Sequence, residues 1–136
     1  NKIIDKCYFR EYKGNTTFYF IPKDGSKTDS YNRVEIKVSA DLINAGEIQL
    51  ATLAANTSTS VFDLKLNKET MQLQSYAAGH GFGNTPNNGT LTIKKDDAGN
   101  YTISLDIRNK YSNSYTQNGG DNTRLVLDFK GSVENY

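Results

Sequence analysis

The side chains that could do chemistry in this chain are few. His80 is the sole histidine, set in Ala78-Gly79-His80-Gly81-Phe82-Gly83. Any Ser-His-Asp or Cys-His relay would have to use it. A glycine-rich flank gives a general base no rigid seat, and such relays must be held tightly. The expectation is a loop histidine without a catalytic role. The run Gly79-x-Gly81-x-Gly83 lacks the strand-to-helix setting and third-glycine spacing of a dinucleotide fingerprint. Cys7 is the sole cysteine. It forms no intrachain disulfide, and one His and one Cys far apart do not make a zinc site. Asp96-Asp97-Ala98-Gly99-Asn100 has a faint calcium-loop look but lacks the alternating oxygen ligands and closing Glu of an EF-hand. It reads better as a hairpin turn. No metal and no cofactor are expected.

Two further chemistries are open to this composition. A paired-carboxylate hydrolase needs only two acids across a glycosidic bond, and Asp24, Asp29, Asp96, Asp97 and Asp121 are loop candidates. No spacing singles out a pair, so this is the minor reading. Loop tyrosines are the alternative. Tyr31, Tyr76, Tyr111 and Tyr115 lie in or beside polar segments. An exposed Tyr stacks on a sugar or anchors a partner at low rotamer cost. Tyr76 is assigned to capping the core, whereas Tyr111, Tyr115 and Tyr31 are the candidate ligand-binding residues. The chain has no Trp, which removes the largest stacking face.

The elements that must carry these residues are strands. Tyr101, Ile103, Leu105 and Ile107 alternate with Thr102, Ser104, Asp106 and Arg108, the period of a half-buried antiparallel strand. Leu91 and Ile93 repeat the pattern upstream. The Asp96–Asn100 turn residues between them define a β-hairpin over Thr90–Arg108. Further strands are expected at Arg124–Val133, around Val34-Ile36-Val38, and around Phe62-Leu64-Leu66. Phe18 and Phe20 alternate with Tyr19 and Ile21, so that strand is apolar on both faces and is expected to be central. Cys7–Tyr12 and Ile48–Leu53 are also read as strands. Ala40–Gly46 reads as one helical turn, and Lys68–Gln72 as a short helix or as part of a strand. Three polar loops separate these elements: Pro22–Asn32, Ala77–Asn88 and Asn109–Asn122. The last is expected to be either part of a recognition rim, with Tyr111 and Tyr115 as candidate anchors, or an unconstrained hairpin excursion.

These segments make about eight short strands in a single 136-residue domain, an all-β antiparallel sandwich or a barrel-like variant of it. A chain this long buries a core without disulfide staples. Sixteen basic residues balance fifteen acidic ones for a net charge of +1, which argues against a global field for nucleic acid. No apolar run reaches the roughly 20 residues of a membrane-spanning helix. Sequons stand at Asn15, Asn56, Asn88 and Asn100. They matter only where the source glycosylates them.

The segment Gly89-Thr90-Leu91-Thr92-Ile93-Lys94-Lys95, then Gly99-Asn100-Tyr101-Thr102-Ile103-Ser104-Leu105-Asp106, then Leu125–Gly131, resembles small exported or lipid-anchored β-sandwich proteins of Bacteroides-type gut bacteria. Many of these are described as cell-adhesion proteins or hypothetical lipoproteins. The resemblance covers Gly89–Val133, with support from Phe18–Val38. It implies an export signal ahead of residue 1, leaves room for a lipidated Cys there, and brings no catalytic residues. Cys7 does not fill the lipidation role, because it opens a strand and no apolar segment precedes it. The expected function is a non-catalytic cell-surface binding or adhesion module, secreted or anchored at the outer membrane, with a protein or glycan partner. A carbohydrate-binding accessory domain using loop tyrosines is the alternative.

Overall fold

A computed structural model describes residues 4–30, 32–50, 60–66, 71–72, 88–110 and 122–136. Its strands are β1 (Ile4–Tyr12), β2 (Asn15–Pro22), β3 (Val34–Ser39), β4 (Ile48–Gln49), β5 (Phe62–Leu66), β6 (Met71–Gln72), β7 (Asn88–Lys95), β8 (Asn100–Lys110), β9 (Asn122–Ser132) and β10 (Glu134–Asn135). They form a six-stranded sheet in the order β10-β1-β2-β3-β5-β6 and a four-stranded sheet in the order β4-β7-β8-β9. Every pairing is antiparallel except β1 with β10. Neither sheet closes on itself, so the architecture is an all-β sandwich and not a barrel.

The alternation that predicted the strands also sets the core. Phe18, Phe20, Ile36, Val38, Phe62 and Leu64 from the larger sheet meet Leu91, Ile93, Tyr101, Ile103, Leu105 and Leu127 from the smaller one. The sheets lock through aromatic edges. Phe18 lies 5.3 Å from Tyr101 and Phe20 lies 6.0 Å from Phe129, both edge to face. The β7–β8 hairpin has the expected register, with Leu91 opposite Leu105 and Ile93 opposite Ile103. All four side chains are buried. The side chains of Leu66, Ile107 and Leu125, expected on the same faces, lie outside the described residues.

Turn chemistry closes both long hairpins. Lys13 and Gly14 have φ of 50° and 81° and form the two-residue link between β1 and β2. Positive φ at both positions matches the twist of the strands they join. In the β7–β8 turn, Asp96 Oδ1 accepts the Ala98 and Asn100 amides at 2.9 and 2.8 Å, and Gly99 takes φ 85°. The segment with a calcium-loop look is therefore a capped turn whose first Asp serves its own backbone.

Three expected boundaries are corrected. The strand read over Ile48–Leu53 ends at Gln49, and Leu50 is already helical and fully buried. The remainder of that expected strand, residues 51–53, lies outside the described residues. The loop read as Asn109–Asn122 is shorter, because Asn109 pairs with Thr123 and Lys110 with Asn122. Polar residues extend the β8–β9 ladder there, since backbone pairing needs no apolar side chain. The helical turn expected at Ala40–Gly46 is a 3-10 turn over Ala40–Leu42, capped at Ile43 before Gly46. Of the two readings around Lys68–Gln72, Met71 and Gln72 are strand.

The crossover between sheets is built on Asn44, at φ 61°. Its amide donates to the Ile93 carbonyl at 2.7 Å. Its side chain accepts the Lys95 amide at 2.8 Å and donates to the Lys95 carbonyl at 3.3 Å. Asn44 thus occupies the edge of β7 as a strand residue would, just before β4 takes over with Ile48 opposite Leu91.

Candidate functional site

The outer face of the larger sheet carries an unusual set of side chains. On β1, Cys7 points into the core, so its strand neighbours Tyr8, Arg10 and Tyr12 point outward. Tyr19 follows on β2, directly opposite Tyr8, and Glu35 on β3 stands opposite Tyr19. Tyr19 is only 7% exposed although it faces outward. Its cover is Tyr136, which arrives by way of β10. The Tyr136 amide donates to the Phe9 carbonyl at 2.8 Å. Its ring stacks on Tyr19 at 4.0 Å and 23°, and meets Tyr8 edge-on at 6.2 Å.

Arg33 ties this strap to the loop. Its Nη1 donates to the Tyr136 hydroxyl and to the Lys27 carbonyl, both at 2.8 Å, while Nε donates to Glu35 at 3.0 Å. Burial alone would lower the Arg33 pKa, but the Tyr136 and Glu35 interactions outweigh it and hold the guanidinium more firmly charged. Burial pushes the Tyr19 hydroxyl pKa up, Glu35 pushes it the same way, and Arg10 pulls against them. Lys27 Nζ lies 4.8 Å from the Tyr8 ring and 5.1 Å from the Tyr136 ring. Arg10 lies 5.8 Å from the Tyr136 ring and Lys13 lies 5.3 Å from the Tyr12 ring.

Charged side chains of both signs lie across this face. Towards β5, Lys37 stands opposite Asp63, and Lys65 stands opposite Glu35, the carboxylate that also pairs with Arg33. Arg33 is matched by Glu35. The β1 side carries Arg10, Lys13 and Lys27, with exposed Glu134 beside Tyr8, next to half-buried Tyr8 and Tyr136 and to Tyr12, which is 67% accessible. Such a surface can give an apolar ring something to rest on. Among the described residues, no cluster of three or more His, Cys, Asp or Glu is placed to hold a metal ion.

A second feature is an open groove of about 420 Å³ between β1 and the β9–β10 corner. Asp5, Lys6, Lys130 and Glu134 line it with mixed charge, and Cys7 lies at its wall. Burial pushes the Cys7 thiol up to about 12, against a small opposing pull from the backbone at Tyr19. The thiol is protonated at neutral pH and is no nucleophile there.

The residues singled out from the sequence are placed as follows. Tyr31, Tyr111, Tyr115, Tyr76, His80 and Asp121 lie outside the described residues. Asp24 and Asp29 are exposed on the β2–β3 loop, and Asp96 and Asp97 are exposed on the β7–β8 turn. Tyr31 belongs to the same β2–β3 connection that supplies Lys27 and Arg33. The sequence reading missed Tyr8, Arg10, Tyr12, Tyr19, Lys27 and Tyr136. Tyr19 carried the available clue: a strand with apolar groups on both faces needs a second cover. No helix among the described residues is long and apolar enough to cross a membrane. No protein-family model, curated protein or solved structure matches this chain.

Proposed function

We propose that this protein is a non-catalytic binding or adhesion module working outside the cell, and that it binds through the outer face of its larger sheet. The observation that carries this reading is the outward row Tyr8-Arg10-Tyr12 on β1. Folding explains Tyr8, which packs against the Tyr136 strap. It does not explain Tyr12, whose ring is 67% exposed on a strand held by a tight turn. A large aromatic side chain kept in water on a rigid strand is a typical anchor for a partner. The resemblance of Gly89–Val133 to exported sandwich proteins of Bacteroides-type gut bacteria supports the extracellular setting and a lipid anchor upstream. Tyr31, Tyr111 and Tyr115 remain candidate ligand-binding residues on their loops.

The test pairs localisation with binding. Intact cells of the source are probed with an antibody to the protein, and the purified chain is screened on immobilised glycans and extracellular matrix proteins. The expected result is surface labelling together with saturable binding that Tyr12→Ala weakens at least fivefold. Hydrolysis of a screened glycan, abolished by substituting Asp24, Asp29, Asp96, Asp97 or Asp121, would replace this reading with the carboxylate hydrolase. Labelling seen only after cells are permeabilised would reject the extracellular setting.

A further inference from the structure

We infer that two copies of this chain pair through β9, antiparallel across a two-fold axis at Phe129, so that their smaller sheets join into one. This inference is independent of the binding reading above, which uses the larger sheet. The sheet edges carry it. Three of the four are strands of two residues, β10, β6 and β4. The fourth is β9, eleven residues from Asn122 to Ser132. Among the described residues it has β8 on one side and no strand on the other. A long edge offers a row of unpaired backbone donors and acceptors to another chain unless proline, a bulge or charge blocks it. β9 contains no proline, and its register against β8 runs from Asn122 to Ser132 without a shift. The open groove beside Phe129, Lys130, Gly131 and Ser132 leaves space next to β9 at that end.

Charge selects a second β9 as the occupant. Leu127 is buried, so its neighbours of opposite parity, Val126, Asp128 and Lys130, lie on the outer face, and all three are exposed. Across β8, Asp128 and Lys130 stand opposite Ser104 and Thr102, which carry no charge. In an antiparallel pair, directly opposed side chains share a face, so only every second register keeps the apolar side inward. With the axis at Phe129, Asp128 meets Lys130 of the second copy, and Lys130 meets its Asp128. Half-buried Phe129 then meets its own counterpart on the groove side. Opposite charges and aromatic pairs directly across a ladder stabilise it, and like charges oppose it. An axis at Asp128 or at Lys130 would set that charge against itself, and an axis at Leu127 would set Asp128 against Val126. The contact uses the same patch on both copies, so it closes as a dimer and does not propagate.

The test is sedimentation velocity on the purified chain over roughly 1–500 µM. The expected result is a concentration-dependent species of twice the 15.1 kDa chain mass. Asp128→Lys and Lys130→Asp, each alone, set like charges against each other and should raise the dimer Kd about tenfold or more. Asp128→Lys combined with Lys130→Asp in one chain should restore the dimer. An equimolar mixture of the two single variants should restore it too, because each then meets opposite charges at both positions. Lys94→Asp makes the same charge change on β7 and should have no effect. Asp128, Lys130 and Lys94 are exposed, so these variants leave the core alone. Amide hydrogen exchange at the two ends of the concentration range should show added protection on β9 and none on β3. A chain that stays monomeric throughout overturns the inference. So does a dimer that both single variants leave intact. So does a dimer that they dissociate but that neither the double variant nor the mixture restores.

Discussion

Tyr136 should hold the outer face of the sheet together, and removing it should be costly for a residue so far along the chain. Its hydroxyl accepts from Arg33 at 2.8 Å, with the Arg33 side chain only 10% exposed. A hydrogen bond to a charged donor contributes about 1.5–3 kcal/mol. Its ring stacks on Tyr19 and meets Tyr8 edge-on, and each such aromatic pair adds about 0.5–1.5 kcal/mol. Tyr136→Phe, which keeps the rings and loses the hydroxyl, should cost about 2 kcal/mol. Tyr136→Ala, which also uncovers Tyr19, should cost about 4 kcal/mol. For a chain of this size that is a fall in Tm of about 12 °C. Urea unfolding, read by far-ultraviolet circular dichroism, gives the free energies. A cycle with Arg33→Met should return a coupling of about 1.5 kcal/mol between the two side chains. If Tyr136→Ala unfolds within about 0.5 kcal/mol of the unsubstituted chain, the strap is not holding the sheet and the reasoning fails.

Other perturbations test the scaffold. Leu105→Ala removes a side chain that is 1% exposed between the sheets and should cost about 2–5 kcal/mol in urea unfolding; a loss below 1 kcal/mol would contradict its place in the core. Asn44→Ala removes both side-chain bonds to Lys95 and leaves a non-glycine residue at φ 61°, so stability should drop by about 2 kcal/mol, with Asn44→Gly recovering the part due to backbone strain. Cys7 has a raised folded pKa, from 9.0 to about 12, so the folded state binds its proton more tightly than the unfolded one. Its stabilising contribution is complete below pH 9 and falls as pH rises towards 12, by about 4 kcal/mol in all. Unfolding curves from pH 8 to 11 should show a steeper alkaline loss for the native chain than for Cys7→Ala, and parallel losses would remove the thiol from the account.

Alternation is what made the fold legible. Leu91, Ile93, Ile103 and Leu105 could be read because each apolar residue is flanked by polar ones, so one register alone buries them. Val34-Ile36-Val38 and Phe62-Leu64 followed for the same reason. Where alternation failed, so did the reading. Tyr8 and Phe9 are neighbours on β1, and aromatic residues at both parities hide which face is outward. The burial of Tyr19 depends on Tyr136, 117 positions further along, and no local pattern reports a contact that distant. Ile48 to Leu53 carried too few alternating residues to fix where its strand ends, which is at Gln49. The recognition site was sought in loops because long loops often bind. Of that search, the β2–β3 connection touches the face described here, through Lys27 and Arg33, and residues 77–87 and 111–121 lie outside the described residues.

The central claim is that ligand binds on the β1 side of the larger sheet. It is tested most directly by titrating isotopically labelled protein with the tightest-binding glycan and following amide and side-chain resonances by NMR. The account predicts that the largest shifts fall on Tyr8, Arg10, Tyr12, Lys27 and the Arg33 Nε proton, with β7 and β8 unmoved. Shifts confined to β7, β8 and their Asp96–Asn100 turn, with the Tyr8-Arg10-Tyr12 row unchanged, would contradict it.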